Sequence, residues 1–86
     1  MIISVEMFSA AGCTRCADAR DALKAVVEEF GAERVSWREL DVLEEIDYAV
    51  EVGVISPPAM AIDGKLAFPA LPNPDRLRAE LLKRLA

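Results

Sequence analysis

Ile2-Ile3-Ser4-Val5-Glu6-Met7-Phe8, then Ser9-Ala10-Ala11-Gly12, then Cys13-Thr14-Arg15-Cys16 opens the chain. The first seven residues are apolar and partly β-branched, the composition of a buried strand. The next four make a short loop. From Cys16 onward apolar residues recur at Ala19, Leu23, Val26, Val27 and Phe30, which lie on one face of an α-helix. The spacing predicts a helix over 14–30, with Gly31 just past its C-terminus. Cys13 and Cys16, the only cysteines in the chain, therefore fall where a strand turns into a helix.

Working outward, Val35 and Trp37 alternate with Ser36 and Arg38, which predicts a second strand over 35–40. Asp41 with Glu44 three residues later has the form of a capping box. It predicts a short helix through Ile46, Ala49 and Val50, ending near Gly53. Ser56-Pro57-Pro58 then interrupts regular structure. Ala59-Met60-Ala61-Ile62 and Lys65-Leu66-Ala67-Phe68 flank Asp63-Gly64, the signature of a two-residue hairpin. Asn73 with Pro74 predicts the start of a last helix, with Leu77, Leu81, Leu82 and Leu85 as its buried stripe. The order is β-α-β-α-β-β-α. The opening strand–helix–strand unit implies a parallel pair with a right-handed crossover, and the closing hairpin is antiparallel. The expectation is an α/β domain over 1–86, with a four-stranded mixed sheet and helices on both faces.

The 86 residues, 53% of them hydrophobic, suffice for one modest core. Net charge is −5, and no basic cluster suggests nucleic-acid binding. The chain has no histidine, which removes Cys–His nucleophiles and histidine metal sites. The opening residues read directly as a strand rather than as a secretory signal. No apolar run approaches the roughly 18 residues of a membrane span. These features lead us to expect a cytoplasmic monomer without membrane or nucleic-acid partners.

A disulfide across so small a loop would constrain little of the unfolded chain. In a reducing compartment a Cys-x-x-Cys pair is catalytic or metal-binding rather than structural. At a helix N-terminus, free backbone N–H groups and the positive end of the helix dipole favour a thiolate. The pattern suits thiol–disulfide exchange. Arg15 either adds positive charge beside that thiolate or faces solvent; the hydroxyl of Thr14 is read as a helix cap.

Val5-Glu6-Met7-Phe8, Gly12-Cys13-Thr14-Arg15-Cys16 and Gly53-Val54-Ile55-Ser56-Pro57-Pro58-Ala59 together resemble the thioredoxin superfamily, in particular its small, glutaredoxin-sized members. The likeness spans nearly the whole chain. It implies the minimal thioredoxin-like fold and thiol–disulfide oxidoreductase activity. It also implies Cys13 as nucleophile, Cys16 as resolving thiol, and Pro58 as a cis-proline before the third strand. Pro57, Pro58, Thr14 and Arg15 would then border the substrate. The partners implied are protein disulfides and a disulfide reductase or other thiol donor, with no cofactor and no metal.

Three positions depart from that family. Thr14-Arg15 is neither the Gly-Pro of thioredoxins nor the Pro-Tyr of glutaredoxins. Pro72-Asn73-Pro74-Asp75 stands where glutaredoxins carry the paired glycines that help hold glutathione. Pro57 has no N–H, so one backbone hydrogen bond to an extended substrate is lost. Thioredoxins also often keep a buried carboxylate on the strand before the cysteines. Glu6 lies on that strand one residue off the expected position, so it is read as an exposed strand-end residue, with proton shuttling as the other reading. Trp37 and Tyr48 are read as packing residues. The rival class is a soft-metal carrier, but such domains run β-α-β-β-α-β with methionine where this chain has Ala11.

Overall fold

Seven elements follow one another as β1 (Ile3–Ser9), α1 (Thr14–Phe30), β2 (Val35–Asp41), α2 (Ile46–Val52), β3 (Ala59–Ile62), β4 (Lys65–Phe68) and α3 (Pro74–Leu85). The computed structural model describes residues 2–10, 14–55 and 57–85, with the backbone alone for 14–16. The sheet has the strand order β2-β1-β3-β4. Its first pair is parallel and the other two are antiparallel. The expected mixed sheet is present.

β1 is central and covered on both faces, and its alternating side chains separate two cores. Ile3 and Val5 join Leu23, Val26 and Val27 of α1 and Leu77 and Leu81 of α3 on one side. Phe8 joins Leu40, Ala49 and Ala61 on the other, under α2. All four β3 residues are buried, which accounts for the uninterrupted apolar run at 59–62. Each fully buried large side chain contributes on the order of 1.5–3 kcal/mol relative to exposure.

The turns follow local chemistry. Asp63 (φ 53°) and Gly64 (φ 79°) are both left-handed, as a two-residue hairpin turn of this hand requires. Asn73 Oδ1 accepts the backbone N–H of Arg76 at 2.8 Å, so it caps α3 with Pro74 as the first helical residue. Arg78 of α3 reaches Glu29 of α1 and Asp75, each at 2.8 Å, and holds the Glu29 carboxyl below its usual range through hydrogen bonding.

Two sequence expectations change, the start of α2 and the buried stripe of α3. α2 begins at Ile46 rather than directly after Asp41, whose Oδ1 instead accepts N–H groups of Leu43 and Glu44 at 2.8 and 3.3 Å in a turn. Of Ile46, Ala49 and Val50, only Ala49 is buried. On α3, Leu77 and Leu81 are buried, but Leu82 is 56% and Leu85 36% exposed. A helix packed on one side of a sheet buries a narrow face, and Leu82 lies about 100° around from Leu81.

Candidate functional site

At the carboxyl end of β1 the end of β2 and the start of β3 come together. Ser9 ends β1 and pairs in parallel register with Asp41 at the end of β2. The next residue of that segment, Val42, donates its N–H to the Ser9 carbonyl at 2.9 Å. β3 runs antiparallel to β1 with Ala59 opposite Phe8, so Pro58 enters the sheet at this same end. The Pro57–Pro58 peptide bond is cis, and both prolines are partly buried.

α1 begins at Thr14, which puts the backbone of Cys16 in its first turn. Backbone N–H groups there have no partner within the helix. Cys13 lies outside the described residues, as do the side chains of Thr14, Arg15 and Cys16. Topology thus gathers the Pro57–Pro58 step and the β2–α2 turn at the carboxyl end of β1, the end from which the chain passes on to α1.

Glu6 differs from its expected place. It is 4% exposed, the one buried charged residue among those described, and so is not an exposed strand-end residue. Strand alternation turns it toward α2 together with Phe8. Its neighbour across the parallel pair is Arg38, and across the antiparallel pair Ala61. Arg38 Nη1 lies 3.5 Å from Glu6 Oε2, and the Tyr48 hydroxyl donates to Oε1. Both carboxylate oxygens are therefore met, as a buried charge requires.

Tyr48 also packs its ring 5.8 Å from that of Phe8. Its phenol is pushed up from 10.0 to about 12, first because the hydrogen bond to Glu6 favours the neutral form, then because of burial. The packing role expected of Tyr48 is present, and the hydrogen bond adds to it. A charged residue amid the apolar run at 2–8 was the available signal. Trp37, on the edge strand β2, packs against the larger core as expected, and its indole N–H donates to Glu39 at 3.3 Å.

The sequence matches the thioredoxin domain family over residues 1–81. A probable thioredoxin of Methanothermobacter thermautotrophicus is 27% identical over 77 residues, covering 90% of this chain and 89% of that protein. A thioredoxin of Methanocaldococcus jannaschii is 26% identical over 83 residues and covers 96% of each. Among solved structures, a thioredoxin of Malassezia sympodialis has a TM-score of 0.76 at 21% identity, covering 98% of this chain and 76% of that one. A malarial protein has a TM-score of 0.74 at 16% identity, covering 98% and 97%. The two structures share the fold alone. The family match spans the Cys-x-x-Cys segment and both prolines, and by it the chain belongs to the thioredoxin domain family.

Proposed function

We propose that the protein is a thiol–disulfide oxidoreductase that acts on protein disulfides through Cys13 and Cys16. The observation that carries this reading is a Cys-x-x-Cys sequence running from the β1–α1 loop into the first turn of α1. The Cys13 thiolate attacks one sulfur of a substrate disulfide, and the other sulfur leaves as a thiolate. Cys16, deprotonated, then attacks the Cys13 sulfur and expels the second substrate thiolate. The substrate gains two electrons and two protons, and the protein is left with a Cys13–Cys16 disulfide. A cytoplasmic thiol donor, such as a disulfide reductase, returns it to the dithiol. Thr14, Arg15, Pro57 and Pro58 border the reacting sulfurs in this reading.

The soft-metal carrier finds less support. In this fold β2 leads into α2 rather than directly into a hairpin, unlike the order those carriers resemble.

Thiol counting on the oxidised protein before and after mild dithiothreitol tests the proposal. Two thiols gained per chain, with reduction of a protein disulfide by the reduced form, is the expected result. Tight copper(I) binding by a chain that never forms the internal disulfide would overturn it.

A further inference from the structure

We propose that the outer face of α2 docks a cationic, apolar segment of the substrate protein. This rests on the oxidoreductase reading above and names the class of substrate that reading leaves open.

α2 turns Ala49 fully inward, while Tyr48 and Val52 pack against the sheet beside it. Its outer side carries Leu43 at 72%, Ile46 at 47% and Val50 at 67% exposure. Ile46 and Val50, four residues apart, lie on one face of the helix, and exposed Leu43 precedes them in the turn. Asp47 and Glu51 repeat that spacing one residue later, and exposed Glu44 stands beside Leu43 in the turn, so acidic side chains flank the apolar ones. Scattered surface aliphatics need no explanation, but apolar side chains flanked by acidic ones define a surface with a chemistry.

Among the described residues, the charge of this face has no basic partner. Between Glu39 and Gly64 the chain has no lysine or arginine. Elsewhere Glu29, Asp75 and Glu80 each meet an arginine. Among the described residues, Glu44, Asp47 and Glu51 meet no basic side chain within 4.0 Å. The nearby Arg38 is engaged by Glu6. Lysine or arginine from a partner would meet these acidic side chains while its apolar side chains cover Leu43, Ile46 and Val50.

The face also adjoins the site. Leu43 directly follows Val42, which is hydrogen-bonded to Ser9, and Ile55, 96% exposed, comes two residues before Pro57. A segment lying along α2 therefore approaches the carboxyl end of β1 and the Pro57–Pro58 step. Two copies joined through this face would oppose their acidic side chains, and an anionic membrane surface would be repelled.

The test uses the full reduced chain and two synthetic peptides, each closed by one internal disulfide. They share length and apolar content, one with flanking lysines and the other with flanking glutamates. Second-order reduction rates should favour the lysine peptide by about tenfold at low salt, and the ratio should approach one as ionic strength rises. The combined variant Glu44→Gln, Asp47→Asn, Glu51→Gln should bring the low-salt ratio below about twofold. A second variant, Leu43→Ser with Ile46→Ser and Val50→Ser, should raise KM for the lysine peptide several-fold.

Equal rates for the two peptides, with the small neutral 2-hydroxyethyl disulfide still reduced, would overturn the docking face and leave the oxidoreductase reading intact. Failure to reduce either peptide or 2-hydroxyethyl disulfide would defeat both. Concentration-dependent self-association abolished by the serine variant would assign the face to a second copy and likewise overturn the proposal.

Discussion

Tyr48 of α2 donates its hydroxyl to Glu6 of β1 across 42 residues of sequence. It is the polar tie between α2 and the central strand, set beside the Phe8–Tyr48 ring contact. Glu6 is met by Arg38 on its other oxygen, so the carboxylate is shared between a phenol and a guanidinium.

Tyr48→Phe keeps the ring contact and removes the donor. One oxygen of a buried carboxylate then lacks its partner, which costs about 1–3 kcal/mol. Urea denaturation should show a lower midpoint with an unchanged slope. An unaltered midpoint would mean that water satisfies Glu6 equally well.

The same tie predicts an alkaline loss of stability. The folded-state phenol is raised from 10.0 to about 12, so folding favours its protonated form. This contribution is whole below pH 10 and is lost as pH rises through about 12. The stability difference between wild type and Tyr48→Phe should therefore shrink over that window, measured by urea denaturation at successive pH values. A difference that stays constant through it would separate the phenol from the effect.

The cysteine roles predict unequal variants. Cys16→Ser should accumulate mixed disulfides with substrate proteins on non-reducing gels, because the first attack proceeds and resolution does not. Cys13→Ser should form none. Alkylation rates followed against pH should give the more acidic thiol to Cys13. The opposite assignment would exchange the two roles.

Pro57 lacks a backbone N–H, which an extended substrate segment would otherwise accept. Pro57→Thr restores that donor, and binding of an extended peptide should tighten by about 0.5–1.5 kcal/mol, the net worth of a typical hydrogen bond. Isothermal titration in a Cys13→Ser background measures this without the first attack. Unchanged or weaker binding would show that this N–H does not face substrate.

With no proline between the cysteines and with Arg15 beside them, the reduced form should be favoured more than in thioredoxin. The expected potential lies above about −270 mV, near the glutaredoxin range of about −200 to −230 mV. A glutathione redox titration measures it, and Arg15→Ala should lower it. A wild-type value well below −270 mV would remove Arg15 from the account.

The residues alone determined the element order, the bounds of α1, the hairpin at Asp63-Gly64 and the cap at Asn73. Each of these depends on a local rule: a 3.6-residue period, a two-residue turn that needs left-handed backbone, or a side chain bonding the helix it precedes. The place of Cys16 in the first turn of α1 was legible for the same reason. Tertiary structure decided the surroundings of Glu6. Alternation along β1 says that Glu6 and Phe8 share a face, but only the crossover of α2 over that face buries the carboxylate and brings Tyr48 to it. It likewise decided that Ile46 and Val50 face outward while Ala49 faces in. Helical periodicity gives the angles between side chains, and the direction that becomes the interior is fixed only when the helix meets the sheet.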